Sequence, residues 1–310
     1  MITPTPKAPL MTRRTLIGSA VALPFVAAAP AKAAAPMLGV STPLHRRFKL
    51  GAFEVTMLLA GTASREAPQS IFGLNASEED FAAASEAANI PADKVQFFFN
   101  PVVVNTGAQL VLFDTGLNPE AIGAALEDAG YSADQIDLVV ITHMHGDHIN
   151  GLMGAGGSTF PNAEYATGRV EFDHWAKADN EGFEGKVRPL ADQFAMMEDG
   201  QSGFSGHTAM AAFGHTPGHM VHMIESDGQQ LLIAADFANH YVWSLGHPDW
   251  HVVFDMDKDA AAQARRRLLD MIATDKLAFT GYHMPWPGVG YVETDGSGFR
   301  YVPSSYQLML

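Results

Sequence analysis

Ile141-Thr142-His143-Met144-His145-Gly146-Asp147-His148 follows directly on the apolar run Ile136-Asp137-Leu138-Val139-Val140-Ile141, and these residues decide the fold. The run is short, β-branched and apolar, the composition of a strand buried on both faces. Polar side chains therefore begin where a strand ends. Residues at spacing two on extended backbone point the same way, so His143 and His145 can converge on one ion. Gly146 lets the chain turn sharply and offers Asp147 and His148 to a second point nearby. A single histidine in such a place is more often a satisfied core or loop residue. Four clustered donors and acceptors are different, because burying them without an ion would leave several unsatisfied. Imidazole and carboxylate without thiolate suit Zn²⁺, Mn²⁺, Fe²⁺ or Co²⁺ at a hydrolytic site.

The pattern His143-x-His145-x-Asp147-His148 resembles the signature of the metallo-β-lactamase superfamily. Asp114-Thr115-Gly116, Gly214-His215-Thr216-Pro217-Gly218-His219, Asp236 and His283 stand in the same order along the chain, and the likeness covers about residues 50 to 303. It implies an α/β (α+β) fold, a four-layer αβ/βα sandwich with one or two metals at an edge of the sheets. It also implies that His143, His145 and His219 hold one divalent ion, that Asp147, His148 and His283 hold another, and that Asp236 bridges them. Asp114 is implied to lie beneath the site and orient the metal-binding loop, while His215 and His222 receive no ligand role. The expected cofactors are two divalent ions, zinc first, with Mn, Co or Fe as alternatives.

Residues 1–35 are expected to be an export signal. Thr12-Arg13-Arg14-Thr15-Leu16-Ile17 is a twin-arginine pattern, an apolar run from Leu16 to Ala29 follows, and Ala31-Lys32-Ala33 is a candidate cleavage site. That run spans only 14 residues and contains Gly18 and Pro24, short of the ~20 needed to cross a bilayer. A stable membrane anchor is therefore not expected; the twin-arginine export machinery is the expected partner, and the mature chain is expected in the periplasm or outside the cell. The signal carries Lys7, Arg13, Arg14 and Lys32 and no acidic residue, so its removal deepens the formal charge from −15 to −19. Such a surface repels nucleic acid and polyphosphates, whereas small neutral or apolar substrates meet no penalty. With no cysteine in the chain, disulfides and thiolate-ligated zinc are excluded. Residues 36–310 are read as one domain, and a homodimer is common among the relatives.

Alternation from Phe48 to Ala60 predicts a first strand. Ser77 caps a helix reaching about Ala88, and strands ending and starting around Gly107-Ala108 form a hairpin. The helix Pro119 to Ala129 returns the chain to the metal-bearing strand, the order a parallel crossover requires. Helices are predicted over Val170 to Trp175 and Val187 to Met197, with Asn180 to Gly185 as an insert over the metals. Trp175 and Phe183 are thus candidate walls of an apolar substrate pocket. Asp227-Gly228 marks a second hairpin, and Asp257 to Thr274 an amphipathic helix with Arg265-Arg266-Arg267 on its solvated side. The strand Lys276 to Gly281 delivers His283, and a hairpin across Asp295-Gly296-Ser297 closes the chain.

Two ions about 3.5–4 Å apart bring the pKa of a shared water toward neutrality, so hydroxide attacks without a separate protein nucleophile. Asp147 and Asp236 are the expected catalytic carboxylates, being ligands that can also accept the reacting proton. The expected reaction is hydrolysis of an ester, lactone or phosphotriester, and within the superfamily the chain looks closest to the methyl parathion hydrolase-like group. Glu54-Val55-Thr56, Asn105-Thr106-Gly107, Phe160-Pro161-Asn162-Ala163 and Gly298-Phe299-Arg300-Tyr301-Val302-Pro303 carry that likeness. After Asp114-Thr115-Gly116 this chain has Leu117-Asn118-Pro119, without the aromatic insertion of that group. Acyl-homoserine lactonase is the first alternative, although Asn239 stands where lactonases usually carry tyrosine. An all-histidine metallo-β-lactamase or a periplasmic metal-binding module without turnover are the others.

Overall fold

Leu138-Val139-Val140-Ile141 forms a strand with no polar face. Leu138 and Val140 enter one apolar cluster while Val139 and Ile141 enter another, so this strand must be covered on both sides. In the computed structural model, which describes Met37 and residues 39–305, it lies within a seven-stranded sheet. The order is His45–Leu50, Phe53–Leu58, Val102–Asn105, Leu110–Phe113, Leu138–Ile141, Glu164–Gly168 and Phe194–Met197. Leu110–Phe113 and Leu138–Ile141 run parallel, joined as expected through the helix Pro119–Asp128. A six-stranded sheet follows in the order His207–Ala211, Met220–Ser226, Gln229–Ile233, Ala278–Thr280, Val289–Asp295 and Gly298–Pro303. Residues 1–35, where the export signal is expected, lie outside the described residues. Among the described residues no helix is long and apolar enough to cross a membrane.

Three apolar layers separate four structural ones. Val55, Met57, Val104, Val140, Ile224 and Leu231 pack between the sheets. Ile122, Ala125 and Leu126 of the helix Pro119–Asp128 cover the outer face of the first sheet. Leu268, Leu269 and Ile272 of the helix Lys258–Asp275 cover the second. This is the αβ/βα sandwich. Each fully buried Val, Leu or Ile contributes roughly 1.5–3 kcal/mol, which fixes the strand register, since a one-residue slip would exchange the two cores. Helix starts are capped as their sequences require: Ser77 Oγ accepts from Asp80 N–H at 3.0 Å, and Asn118 Oδ1 from Ala121 N–H at 2.8 Å.

Three local expectations are corrected. Phe48 to Ala60 is not one strand but the hairpin His45–Leu50 and Phe53–Leu58. Its turn at Gly51 has φ +58°, and a Cβ there would lie 2.3 Å from Ser226 O, so only glycine fits. Val187 to Met197 is not a helix: a 3₁₀ turn, Arg188–Gln193, leads into the edge strand Phe194–Met197, which pairs with Glu164–Gly168. Arg265 is fully buried rather than solvated, donating to Asp255 Oδ2 at 2.8 Å and to the carbonyls of Phe237, Pro248 and Trp250.

A pair of buried imidazoles sits between the sheets. Gly203 N–H donates to His207 Nδ1 at 2.8 Å, so His207 Nε2–H must donate to His222 Nδ1 at 2.9 Å, leaving His222 Nε2 with no partner among the described residues. Burial lowers the pKa of His207 to about 4. Burial, reinforced by His207 and His219, holds His222 well below the usual range. Both are neutral when folded and titrate near 6.5 when unfolded. Their stabilising contribution is therefore complete above pH 6.5 and is lost as pH falls from 6.5 toward 4 and below. By pH 5 each histidine should cost roughly 2 kcal/mol. Thermal unfolding at pH 7.5 and 5.0 should show a smaller acid loss in His207→Gln/His222→Leu than in the parent, with metal ligands common to both; equal losses would remove this role.

Candidate metal centre

The Leu138–Ile141 strand ends at Thr142, from which the backbone carries His143 and His145 before entering the short helix Gly146–Ile149. Asp114 anchors this turn from below. It accepts from Thr142 N–H (2.9 Å, Oδ1) and, at Oδ2, from Thr142 Oγ1 (2.8 Å) and the His148 Nδ1 proton (2.8 Å). His148 Nε2 is thereby aimed into the site. Thr142 Oγ1, having given its proton to Asp114, accepts from His143 Nδ1 at 3.2 Å, so the His143 Nε2 lone pair also faces the site.

Two donor groups result. His143 Nε2, His145 Nδ1 and His215 Nε2 lie 3.0–3.2 Å from one another. Asp147, His148, Asp236 and His283 form the second group. There Asp147 Oδ2 is 3.5 Å from His148 Nε2 and 3.3 Å from His283 Nε2. Asp236 belongs to both: Oδ2 is 3.5 Å from His215 Nε2 and 3.1 Å from His283 Nε2, while Oδ1 is 3.5 Å from His148 Nε2.

His219, expected as a ligand, does not join the first group; His215 takes that place. Asp236 N–H donates to His219 Nε2 at 3.2 Å and the His219 Nδ1 proton goes to Ala212 O, also at 3.2 Å. Both ring nitrogens are occupied, leaving no lone pair for an ion. His219 ties the backbone of Asp236 to the neighbouring strand instead. His215 Nδ1 donates to Asp255 Oδ1 at 2.8 Å, and Asp255 is held by Arg265. This carboxylate-imidazole pairing fixes the ring with Nε2 toward the centre.

The donor sets fit divalent ions. A tetrahedral ion about 2.0–2.1 Å from each nitrogen needs donors roughly 3.3 Å apart, close to the spacing of the histidine trio. His148 Nε2 and Asp236 Oδ1 are buried, face each other, and have no hydrogen-bond partner among the described residues, an arrangement that costs free energy unless a cation accepts both. Burial first, then His215, lowers the pKa of His145 to about 3. Burial and the neighbouring imidazoles His148, His215 and His145 hold His143 well below its ordinary value. Both rings therefore keep their lone pairs. At His283, burial pushes down but Asp236 and Asp147 outweigh it and raise the pKa to about 10. The field that would hold a proton there equally attracts a metal ion.

A cleft of about 340 Å³ opens onto Asp147, Asp236, His145 and His283, with Phe97, Phe99, Leu117 and Phe254 as its apolar walls. Trp175 and Phe183, expected as pocket walls, are not among its lining residues. Trp175 is buried with its Nε1–H on Glu171 Oε1 at 2.7 Å, and Phe183 is fully buried against Phe172. The insert around residue 183 packs into the core beneath the ligand loop instead of covering the metals. The aromatic walls come instead from the hairpin Thr62–Glu66 and Lys94–Phe98, the residues just after it, and the loop at Phe254.

Two further residues support the ligands. The buried Glu171 accepts Met144 N–H, Trp175 Nε1–H, Thr216 Oγ1–H and Gly218 N–H at 2.7–2.9 Å. Tyr282 O–H donates to Asp147 O at 2.6 Å, its ring over His148. For His215 the sequence signal was present, in a second histidine of the same motif. For Glu171 there was none, since nothing in Val170-Glu171-Phe172 marks that carboxylate as buried.

A family model described as the metallo-beta-lactamase superfamily matches residues 97–280. "Anti-Pycsar protein Apyc1" of Paenibacillus sp. (strain J14) is 39% identical over 57 residues, 18% of this chain and 22% of that protein. The match thus spans about a fifth of that relative. Among solved structures, AidC, a dizinc quorum-quenching lactonase in complex with a product, is similar with a TM-score of 0.78 at 26% identity, covering 85% of this chain and 99% of that one. The hydrolase AbOPH of the beta lactamase superfamily superposes with a TM-score of 0.79 at 21% identity, covering 86% and 99% respectively.

Proposed function

The chain belongs to the metallo-beta-lactamase superfamily, and from that premise we propose that it is a dinuclear metal-dependent hydrolase of small esters and lactones, with phosphotriesters as a secondary substrate. The observation that carries this reading is the Asp236 carboxylate, shared by both donor groups at the floor of an apolar cleft. Two divalent ions held there would lower the pKa of a water between them and polarise the scissile carbonyl or phosphoryl oxygen. His143, His145, His215 and Asp236 would hold one ion; Asp147, His148, His283 and Asp236 the other. Asp147, whose side chain is 21% exposed, faces the cleft and can take up the reacting proton. Asn239 Nδ2 donates to Asp236 Oδ2 at 3.0 Å and steadies it. Phe97, Phe99 and Phe254 exclude water and receive an acyl or aryl group. They supply the aromatic surface that the segment after Gly116 lacks, where Leu117 contributes an aliphatic wall instead. Acyl-homoserine lactones are the second reading, favoured by the likeness to the lactonase AidC.

Methyl paraoxon, a long-chain acyl-homoserine lactone, an aryl ester and a cephalosporin should be assayed in parallel, with metal content determined on the same sample. Turnover of lactone or ester with two metals per chain is expected. Dialysis against a chelator should reduce it to background, with recovery on adding Zn²⁺, Mn²⁺ or Co²⁺. A chain that binds two metals and turns over nothing in the panel would refute the substrate class.

A further inference from the structure

The hairpin that walls the cleft breaks its own pattern. Ala63 pairs with Phe97 and Arg65 with Val95, so alternation places Ala63, Arg65 and Phe97 on the cleft side. The opposite side carries the polar residues, with Lys94 paired to Glu66 at 3.4 Å and Ser64 bonded to Gln96 at 2.7 Å. Arg65 is thus a cation on the apolar face and, among the described residues, the one Lys or Arg in the cleft lining. Its hydrogen bond goes to the carbonyl of its neighbour Ser64 at 3.0 Å, and among the described residues it makes no ion pair. In a chain with 34 acidic residues against 19 basic ones, an exposed guanidinium that lines the cleft with no carboxylate paired to it among the described residues is an unused anion receptor.

Resting on the hydrolase reading above, we propose that Arg65 is a specificity-determining residue. It binds a carboxylate at the end of the substrate remote from the scissile bond, so the substrate class is esters or lactones whose apolar body ends in an anionic group.

The test compares 4-nitrophenyl pentanoate with the mono-4-nitrophenyl ester of glutaric acid, which differ in a terminal methyl against a carboxylate. Metal-loaded wild-type, Arg65→Gln and Arg65→Lys chains are used. Arg65→Gln should raise KM for the glutarate about tenfold, leave its kcat within twofold, and move the pentanoate by less than twofold. Arg65→Lys should lie between, and 0.5 M NaCl should raise the wild-type glutarate KM. Equal effects on both esters, or none, overturn the proposal. Calorimetric titration with the matching anilides, glutaranilic acid and pentananilide, reads binding without turnover. Selective weakening of glutaranilic acid in Arg65→Gln without ester hydrolysis would sustain Arg65 and defeat the hydrolase reading. Turnover of both esters without discrimination would do the reverse.

Discussion

His215→Ala should lower the metal content of the purified chain from two ions to about one. It should also reduce hydrolysis by on the order of 10³-fold, since the remaining ion lacks its partner in activating water and polarising the substrate. His219→Ala should keep both ions. The two histidines are separated by only Thr216-Pro217-Gly218, yet their nitrogens have different work. His215 Nε2 stands 3.0 Å from His145 Nδ1 and 3.2 Å from His143 Nε2, whereas His219 Nε2 is occupied by the Asp236 amide. Losing His219 leaves the Asp236 N–H and the Ala212 carbonyl unpaired in a buried setting, at a cost of about 1–3 kcal/mol each. That variant should therefore melt earlier while retaining its ions, whereas His215→Ala, which also deprives the buried Asp255 of a donor, should lose an ion. Atomic emission on dialysed protein decides between them. Retention of both ions by His215→Ala with loss of one from His219→Ala would return the ligand role to His219.

The exchange of these histidines shows where sequence reasoning stops. A strand end fixes the direction of His143 and His145, because extended backbone has a period of two, and a glycine then redirects Asp147 and His148. His215 and His219 lie in a loop whose path is set by contacts distant in sequence: Asp255 on one ring, Ala212 and Asp236 on the other. No local period selects between them. The sandwich was legible only through the resemblance that the ligand motifs carry; the apolar run Leu138–Ile141 by itself declared a strand buried on both faces. The hairpin at Gly51 was not, since alternation continues through the turn and the space that demands glycine belongs to Ser226. Arg265 failed for a similar reason. Three consecutive arginines on a helix read as solvated, but Asp255 and three carbonyls bury the first of them.

Glu171→Ala should be the most destabilising single change near the site, and Glu171→Gln nearly as severe. The carboxylate joins three pieces of chain: Met144 in the first ligand loop, Thr216 and Gly218 in the second, and Trp175 on its own helix. All four partners are donors. Alanine orphans every one of them, and glutamine sets its own N–H₂ against two. At about 1–3 kcal/mol for each buried unsatisfied group, partly relieved by water entering the gap, the net cost is roughly 4 kcal/mol, or about 10 °C in melting temperature for a chain of this size. Relaxation cannot close the gap, because a Cβ on Gly218 would lie 2.1 Å from Glu171 N, so the loop already rests on the helix backbone. Trp175→Phe, which removes one donor and leaves the carboxylate satisfied by three, should cost far less. Because Glu171 sets the distance from His143 and His145 to His215, its loss should also weaken binding of the first ion by about 10–100-fold at temperatures where the variant is folded. Metal titration followed by calorimetry reads that second effect separately from stability. A Glu171→Gln chain that melts within 2 °C of the parent and binds both ions as tightly would show that the two ligand loops hold their spacing without it.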